Sequence, residues 1–276
     1  MKSDALAKRA KLDNRIAEID IIRGIAVVLM VFDHLMFDLW GLLPSVFSDY
    51  PSGDAFWVWA KTVSFNYWVW DVRVAVRNVV VFAFLALTGI SCSFSKSNIK
   101  RGGMLMGVAL FLTAATFVAG KIIGDMDIVI SFGILHLIAL SILFVATIEL
   151  FTKNKWVFLA LSAVMIAVGA VFLKEIPVSY GSGNFFELFF KQFIGLVLLG
   201  PDGYSFLFYG GQVVFGVFLG KLLYPERKPL VFKKRYINNP ITFIGRHSLI
   251  VYVAHQAVLP VILSIALLIG GHTLAL

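Results

Sequence analysis

Seven stretches of the chain are apolar almost without interruption: 20–43, 74–94, 103–122, 129–151, 156–173, 205–224 and 241–270. About 20 residues of helix cross a hydrocarbon core roughly 30 Å thick, so each stretch is read as a spanning helix. The last is the longest, and Pro260 marks a place for a kink. Two segments fit neither a span nor a plain loop. SDYPSGDAFWVWAKTVSFNYWVWDVR is dense in Trp and Tyr, which suits the lipid headgroup level. NFFELFFKQFIGLVLLGPDGY, residues 184–204, is apolar but short and carries Glu187 and Lys191, so it is read as re-entrant or interfacial. The pattern predicts an all-α, polytopic transmembrane bundle of about seven spans, without internal repeats or low-complexity tracts.

Composition supports that reading. Of 276 residues, 59% are hydrophobic and only 14% charged, against about 25% charged in a soluble domain. The expected organisation is a basic cytoplasmic segment at 1–19, one transmembrane domain at 20–270 and a short outer tail at 271–276. Residues 1–19 do not resemble a signal peptide, because the apolar run after them is too long and lacks a small-residue cleavage site. The single cysteine, Cys92, excludes an internal disulfide and any Cys-based zinc site, and no metal is expected. The net charge of +8 does not indicate a nucleic-acid partner. Its distribution orients the chain in a lipid bilayer. Fifteen cations fall in alternate loops: Lys2, Lys8, Arg9, Lys11, Arg15; Lys96, Lys100, Arg101; Lys153, Lys155; and Arg227, Lys228, Lys233, Lys234, Arg235. The opposite loops hold five cations, Lys61, Arg73, Lys121, Lys174 and Lys191, alongside acids such as Asp49, Asp54, Asp71, Asp125, Asp127, Glu175, Glu187 and Asp202. Basic loops stay in the cytoplasm, which places the N-terminus inside and the C-terminus outside.

Ionisable groups within the spans are the candidate chemistry, because each costs about 3 kcal/mol or more in hydrocarbon and so turns toward the bundle interior or water. In RGIAVVLMVFDH, Arg23 and His34 stand eleven residues apart. At 100° per residue they share a helix face, separated by about 16 Å along the axis. Asp20 and Asp38 border that face, whereas Asp33 points about 100° away. Arg23 would meet an anion at the cytoplasmic mouth. His34, beyond the midplane, would take a proton from a nucleophile, with Asp38 or Asp33 as its carboxylate partner. The competing bland reading has Arg23 snorkelling and His34 in a core hydrogen bond. In the last span Ser248, Tyr252 and His255 form one polar stripe, while Arg246 is suited to phosphate by its planar guanidinium. Arg77 and Asn78 on the second span and His136 on the fourth are candidates for the acceptor side. A lone histidine such as His136 is more often a satisfied core residue. No Walker A loop, GxSxG elbow or HExxH motif is present.

Four blocks, EIDIIRGIAVVLMVFDHLMFDLWG, FLALTGIS, FGILHLIALS and NPITFIGRHSLIVYVAHQ, resemble the recurring blocks of bacterial and archaeal relatives of heparan-alpha-glucosaminide N-acetyltransferase. They keep their order from residue 18 to about 260. The first also resembles the R-x10-H pattern of the acyltransferase-3 family. The resemblance implies a multi-pass protein of a prokaryotic plasma (inner) membrane that moves an acetyl or acyl group from cytoplasmic acetyl-CoA to an amine or hydroxyl of an extracytoplasmic acceptor, usually a sugar or glycan. It implies a role for Arg23 near the CoA entrance and for His34 in acyl transfer, and it places Gly245 and Arg246 near the cytoplasmic mouth. Ser248, Tyr252 and His255 complete the expected donor site. The chain departs from the lysosomal enzyme in three places: no histidine stands in 44–73, His34 appears in the block where that enzyme has an asparagine late in its first span, and Asn78 occupies the position of a second-span aspartate. These departures favour the acyltransferase-3-like role for His34. A homo-oligomer is left open.

A transporter or proton-coupled permease is the alternative from another class, since buried Asp, His and Arg also mark proton paths. Inverted repeats or interrupted helix pairs would favour it, and the sequence displays neither.

Overall fold

The structure is a computed structural model that describes residues 15–52, 54–124, 126–173, 177–178, 184–199, 202–231 and 239–274. Lys2, Lys8, Arg9, Lys11, Lys174, Lys233, Lys234, Arg235, Asp125 and Glu175, which entered the sequence-based topology, lie outside these residues, as do 1–14 and the end of the 271–276 tail. Seven helices are long and apolar enough to cross a membrane. They are α1 (Ala17–Phe37), α3 (Asp71–Phe94), α4 (Asn98–Ile123), α5 (Ile134–Phe151), α6 (Lys155–Phe172), α8 (Gly211–Leu223, with a π-helical turn at Phe206–Gly210 before it) and α10 (Ser248–Ile269). The expected all-α bundle of seven spans is therefore observed. Three shorter helices join them: α2 (Ala55–Trp68), α7 (Phe185–Ile194) and α9 (Pro240–Arg246). Extended pairing among the described residues is limited to a two-residue parallel contact, β1 (Pro177–Val178) with β2 (Leu198–Leu199), and an isolated antiparallel bridge between Phe47 and Leu274.

The chain divides into two compact units, Met1–Ala83 with Pro229–Leu276, and Phe84–Lys228. In the first, α1 begins with Glu18 and Asp20, acids that suit the positive end of a helix dipole. It continues beyond Phe37 through a π-helical turn at Asp38–Leu42 and a last turn at Leu43–Val46. The wider turn changes the backbone bonding, and the Tyr50 hydroxyl donates to the Leu39 carbonyl at 2.8 Å. Here Leu43, Phe47, Tyr50, Trp57, Ala60 and Leu267 pack into a buried cluster that fixes α2 and the end of α10 against α1. At the other end α9 lies on α1 at a crossing of glycines. A Cβ on Gly245 would strike the Asp20 carbonyl, and one on Gly24 the Ile241 carbonyl, so the two backbones meet only because both positions lack side chains.

The second unit is built round α5, where Leu137, Ala139, Ser141 and Val145 are fully buried. Helix α4 packs along it, and α8 packs on α6. Helix α7 is ten residues long and about 15 Å in length, too short to span. Its Phe193 stacks on Phe206, with ring centroids 4.7 Å apart, and its buried Gln192 donates to the Phe132 carbonyl at 3.0 Å.

Sequence reasoning joined 241–270 into one helix kinked at Pro260. The break falls instead at His247, between α9 and α10, and α10 runs on through Pro260. His247 directs both its backbone N–H and its Nδ1 at the Phe243 carbonyl, 3.2 and 2.9 Å away, so side chain and backbone converge on one acceptor.

Candidate active site

Both histidines of the candidate site belong to the first unit. Helix α1 is uninterrupted α-helix from Ala17 to Phe37, so Arg23 and His34 keep the expected shared face and the axial separation of about 16 Å. The His34 ring faces that of His255 on α10, with centroids 4.9 Å apart and planes 59° to each other. Nδ1 of His34 lies 2.9 Å from the Met30 carbonyl, and Nδ1 of His255 lies 2.6 Å from the Tyr252 carbonyl. A carbonyl only accepts, so in the neutral rings both Nδ1 atoms carry the proton and each Nε2 presents a lone pair. His255 Nε2 is buried with no hydrogen bond. Two imidazoles thus stand ring to ring at contact distance, each anchored through Nδ1.

Asp38 follows one turn after His34, and its N–H bonds to the His34 and Leu35 carbonyls. Its side chain is wholly buried, and neither carboxylate oxygen has a close hydrogen-bond partner. The Gln256 side chain on α10 approaches it. The Asp38 carboxylate makes no bond to the His34 ring, whose Nδ1 is already taken by the Met30 carbonyl. The other candidate carboxylate, Asp33, is engaged elsewhere. Arg73 grips it with two bonds, Nε to Oδ1 at 2.8 Å and Nη2 to Oδ2 at 2.9 Å, and the Tyr67 hydroxyl donates to Oδ1 at 3.0 Å. The Arg73 guanidinium also lies 3.6 Å from the Trp68 ring centroid. Burial raises the Tyr67 hydroxyl above its ordinary pKa, and the Asp33 carboxylate raises it further against the opposing pull of Arg73.

The remaining candidates are spread more widely. Arg23 is half-buried, and the glycine crossing brings Gly24 and Gly245, its neighbour and that of Arg246, into contact. Arg246 Nε donates to the Thr242 carbonyl at 3.3 Å. Gly245 has a packing reason for being glycine, and Ser248 and Tyr252 are half-buried on α10. Arg77 and Asn78 lie on the exposed side of α3, whereas Arg73, one turn earlier, is buried. His136 sits in the second unit with both ring nitrogens occupied. Its Nδ1 accepts from the Gly133 N–H at 3.3 Å, which leaves Nε2–H to face Thr113 Oγ1 at 3.1 Å, and that hydroxyl donates to the Ile130 carbonyl at 2.7 Å. The ring joins the start of α5 to α4. Tyr67, Trp68 and Gln256 were not singled out from the sequence. The aromatic density of residues 56–70 was the available signal for the first two, and Gln256 follows His255 directly.

The family model described as heparan-alpha-glucosaminide N-acetyltransferase, catalytic, matches residues 15–257. The chain belongs to this family. Membership and seven apolar helices together make it a multi-pass membrane acetyltransferase. The matched region takes in α1, α3, α9 and the His255 turn of α10, and so covers every residue of the facing imidazole pair. No curated protein and no solved structure matches the chain.

Proposed function

We propose that this acetyltransferase takes its acetyl group from acetyl-CoA on the cytoplasmic side and delivers it to an amine or hydroxyl of a sugar or glycan on the other side, with His34 at the point of transfer. The observation that carries this reading is the His34–His255 pair: His34 stands on the helix that also bears Arg23, and it faces the ring of His255 on α10, whose Nε2 is buried with no hydrogen bond. The extended arm of the donor is comparable in length to the Arg23–His34 separation. Phosphates would stay near Arg23 and Arg246, where guanidinium groups bind them by charge-assisted bonds. Asp38 offers a buried carboxylate, approached by Gln256, with capacity left to accept a hydrogen bond from the acceptor's hydroxyl or amine.

In this scheme His34 Nε2 removes the proton of the acceptor nucleophile as it attacks the thioester carbonyl. The C–S bond then breaks, the coenzyme's sulfur leaves with the bonding electron pair, and the imidazolium returns the proton to it. His255 Nε2 is placed to share that proton while the charge exists. Acetyl transfer from labelled acetyl-CoA by the purified protein in proteoliposomes tests the scheme. His34→Ala should lower kcat by about 10²–10⁴, the usual contribution of a general base. Arg23→Ala should raise the KM for acetyl-CoA by about tenfold or more, as loss of a charged hydrogen bond does. Full transfer by His34→Ala would overturn the assignment. Solute flux without acetyl-CoA binding would favour a permease instead.

A further inference from the structure

The second unit contains a cavity of about 340 Å³ at one end of its helices, a volume at the low end of small-molecule sites, which run from about 300 to 1,000 Å³. Its wall carries four cations, Lys153, Lys155, Lys221 and Arg227, with the polar groups of Ser93 and Tyr224. The acids in this part of the unit are already taken. Glu149 holds Lys221 at 3.2 Å and accepts from Asn98 at 2.9 Å, and Glu226 holds Lys228 at 2.6 Å. No carboxylate of the described residues pairs with Lys153, Lys155 or Arg227, so the cavity has an uncompensated positive charge. Lys155 lies over Trp156 and Arg227 over Phe94, contacts that restrain both cations without neutralising them. Arg227 is also the one described non-glycine residue in the left-handed region, at φ 56°. Its N–H bonds to the Tyr224 carbonyl at 3.1 Å in a tight turn. A β-carbon-bearing residue held in that conformation is a recurrent feature of ligand sites, and a glycine would sit there without strain.

We propose that this cavity is a binding site for the phosphate group of an anionic ligand. The same chemistry has two sources, a phospholipid headgroup or the phosphate end of a soluble nucleotide. The lining comes from the end of α3, the start of α6 and the end of α8, three spans that terminate together where a headgroup would be found. The inference does not depend on acyl transfer at His34, since every residue named belongs to the second unit.

The full chain in detergent is titrated with dioctanoyl phosphatidylglycerol, with the matching phosphatidylcholine, and with adenosine 3′,5′-bisphosphate, reading thermal shift and native mass spectra. Wild type should bind one of the two anionic probes saturably, more weakly as salt rises. Arg227→Gly, which removes the charge and relieves the turn, should weaken that binding at least fivefold without lowering Tm. The double variant Lys153→Gln/Lys155→Gln, at one exposed and one half-buried position, should do the same. Loss confined to phosphatidylglycerol identifies a lipid headgroup, and loss confined to the bisphosphate identifies a nucleotide. Saturable binding of neither anion, or equal binding by wild type and both variants, overturns the proposal. Because acetyl transfer is measured separately, failure here leaves the His34 assignment standing, and the reverse also holds.

Discussion

At the scale of single residues, one of the two carboxylates expected beside His34 is committed to another partner. Asp33 and Arg73 meet in a two-pronged pair whose side chains are 19% and 8% exposed, so each charge depends on the other for most of its solvation. Breaking such a pair by removing one partner costs about 3–5 kcal/mol, because the survivor is left buried and unpaired. Asp33→Asn and Arg73→Met should therefore each lower the unfolding midpoint in detergent markedly. The double variant should be more stable than the sum of the two losses, since it leaves no orphan charge. Additive losses would show that the pair is not coupled. The contact also explains a limit of sequence reading. Tyr67 and Arg73 lie 34 and 40 positions from Asp33, and a helical wheel drawn on one span carries no information about which neighbour faces it. The same limit hid the His34–His255 contact: each ring was recognised, but their approach arises from the packing of α10 on α1.

At the scale of elements, the spans themselves were legible because the apolar runs are long and the breaks between them polar. What escaped was any feature set by a side chain competing with backbone: the division at His247, the π-helical turn at Asp38, and the fastening of the chain's last described turn to the end of α1. That fastening is a small latch. Phe47 pairs with Leu274 in an isolated antiparallel bridge, Ser48 N–H donates to the Thr273 carbonyl at 3.3 Å, and the Thr273 N–H lies 3.1 and 3.2 Å from the two Asp49 oxygens. His272 Nδ1 is 3.5 Å from Asp49. Partial burial pushes the Asp49 carboxyl up, but the Thr273 amide, its own amide and the His272 ring outweigh it, and the net shift is downward. A carboxyl whose folded pKa lies below its unfolded one stabilises the folded form fully above the ordinary value of about 3.9, and that stabilisation fades as pH falls through the lowered value. Amide exchange at 272–274, corrected for its intrinsic pH dependence, should accelerate below about pH 4 in the wild type. Asp49→Asn should show fast exchange at every pH. Protection unchanged by acid or by the substitution would mean that the apolar contacts alone hold the latch.

At the scale of the whole molecule, charge and span count have to agree. Each span carries the chain to the other side of the bilayer, and cytoplasmic loops retain Lys and Arg because they are not translocated. Lys96 stands in the break between α3 and α4, and Ser52 in the break between α1 and α2, so α3 is the only span that separates them. If α2 lies along the surface, the two positions face opposite sides; if α2 crosses, they face the same side. The aromatic composition of α2 and its 14 residues, about 21 Å, argue for the surface. Labelling with a membrane-impermeant maleimide decides the matter cleanly, because the native Cys92 is 1% exposed and should stay silent until denaturation. Ser52→Cys should react in intact cells, and Lys96→Cys only in inverted vesicles. Reaction of both from one side would make α2 an eighth crossing, and the exchange of the two results would turn the protein over in the membrane. Exchange of the two results, or reaction of both from the cytoplasmic side, would move Arg23 away from cytoplasmic acetyl-CoA and His34 away from an outer acceptor, so the proposed direction of acetyl transfer stands or falls with the side on which Ser52, the position that follows α1, is found.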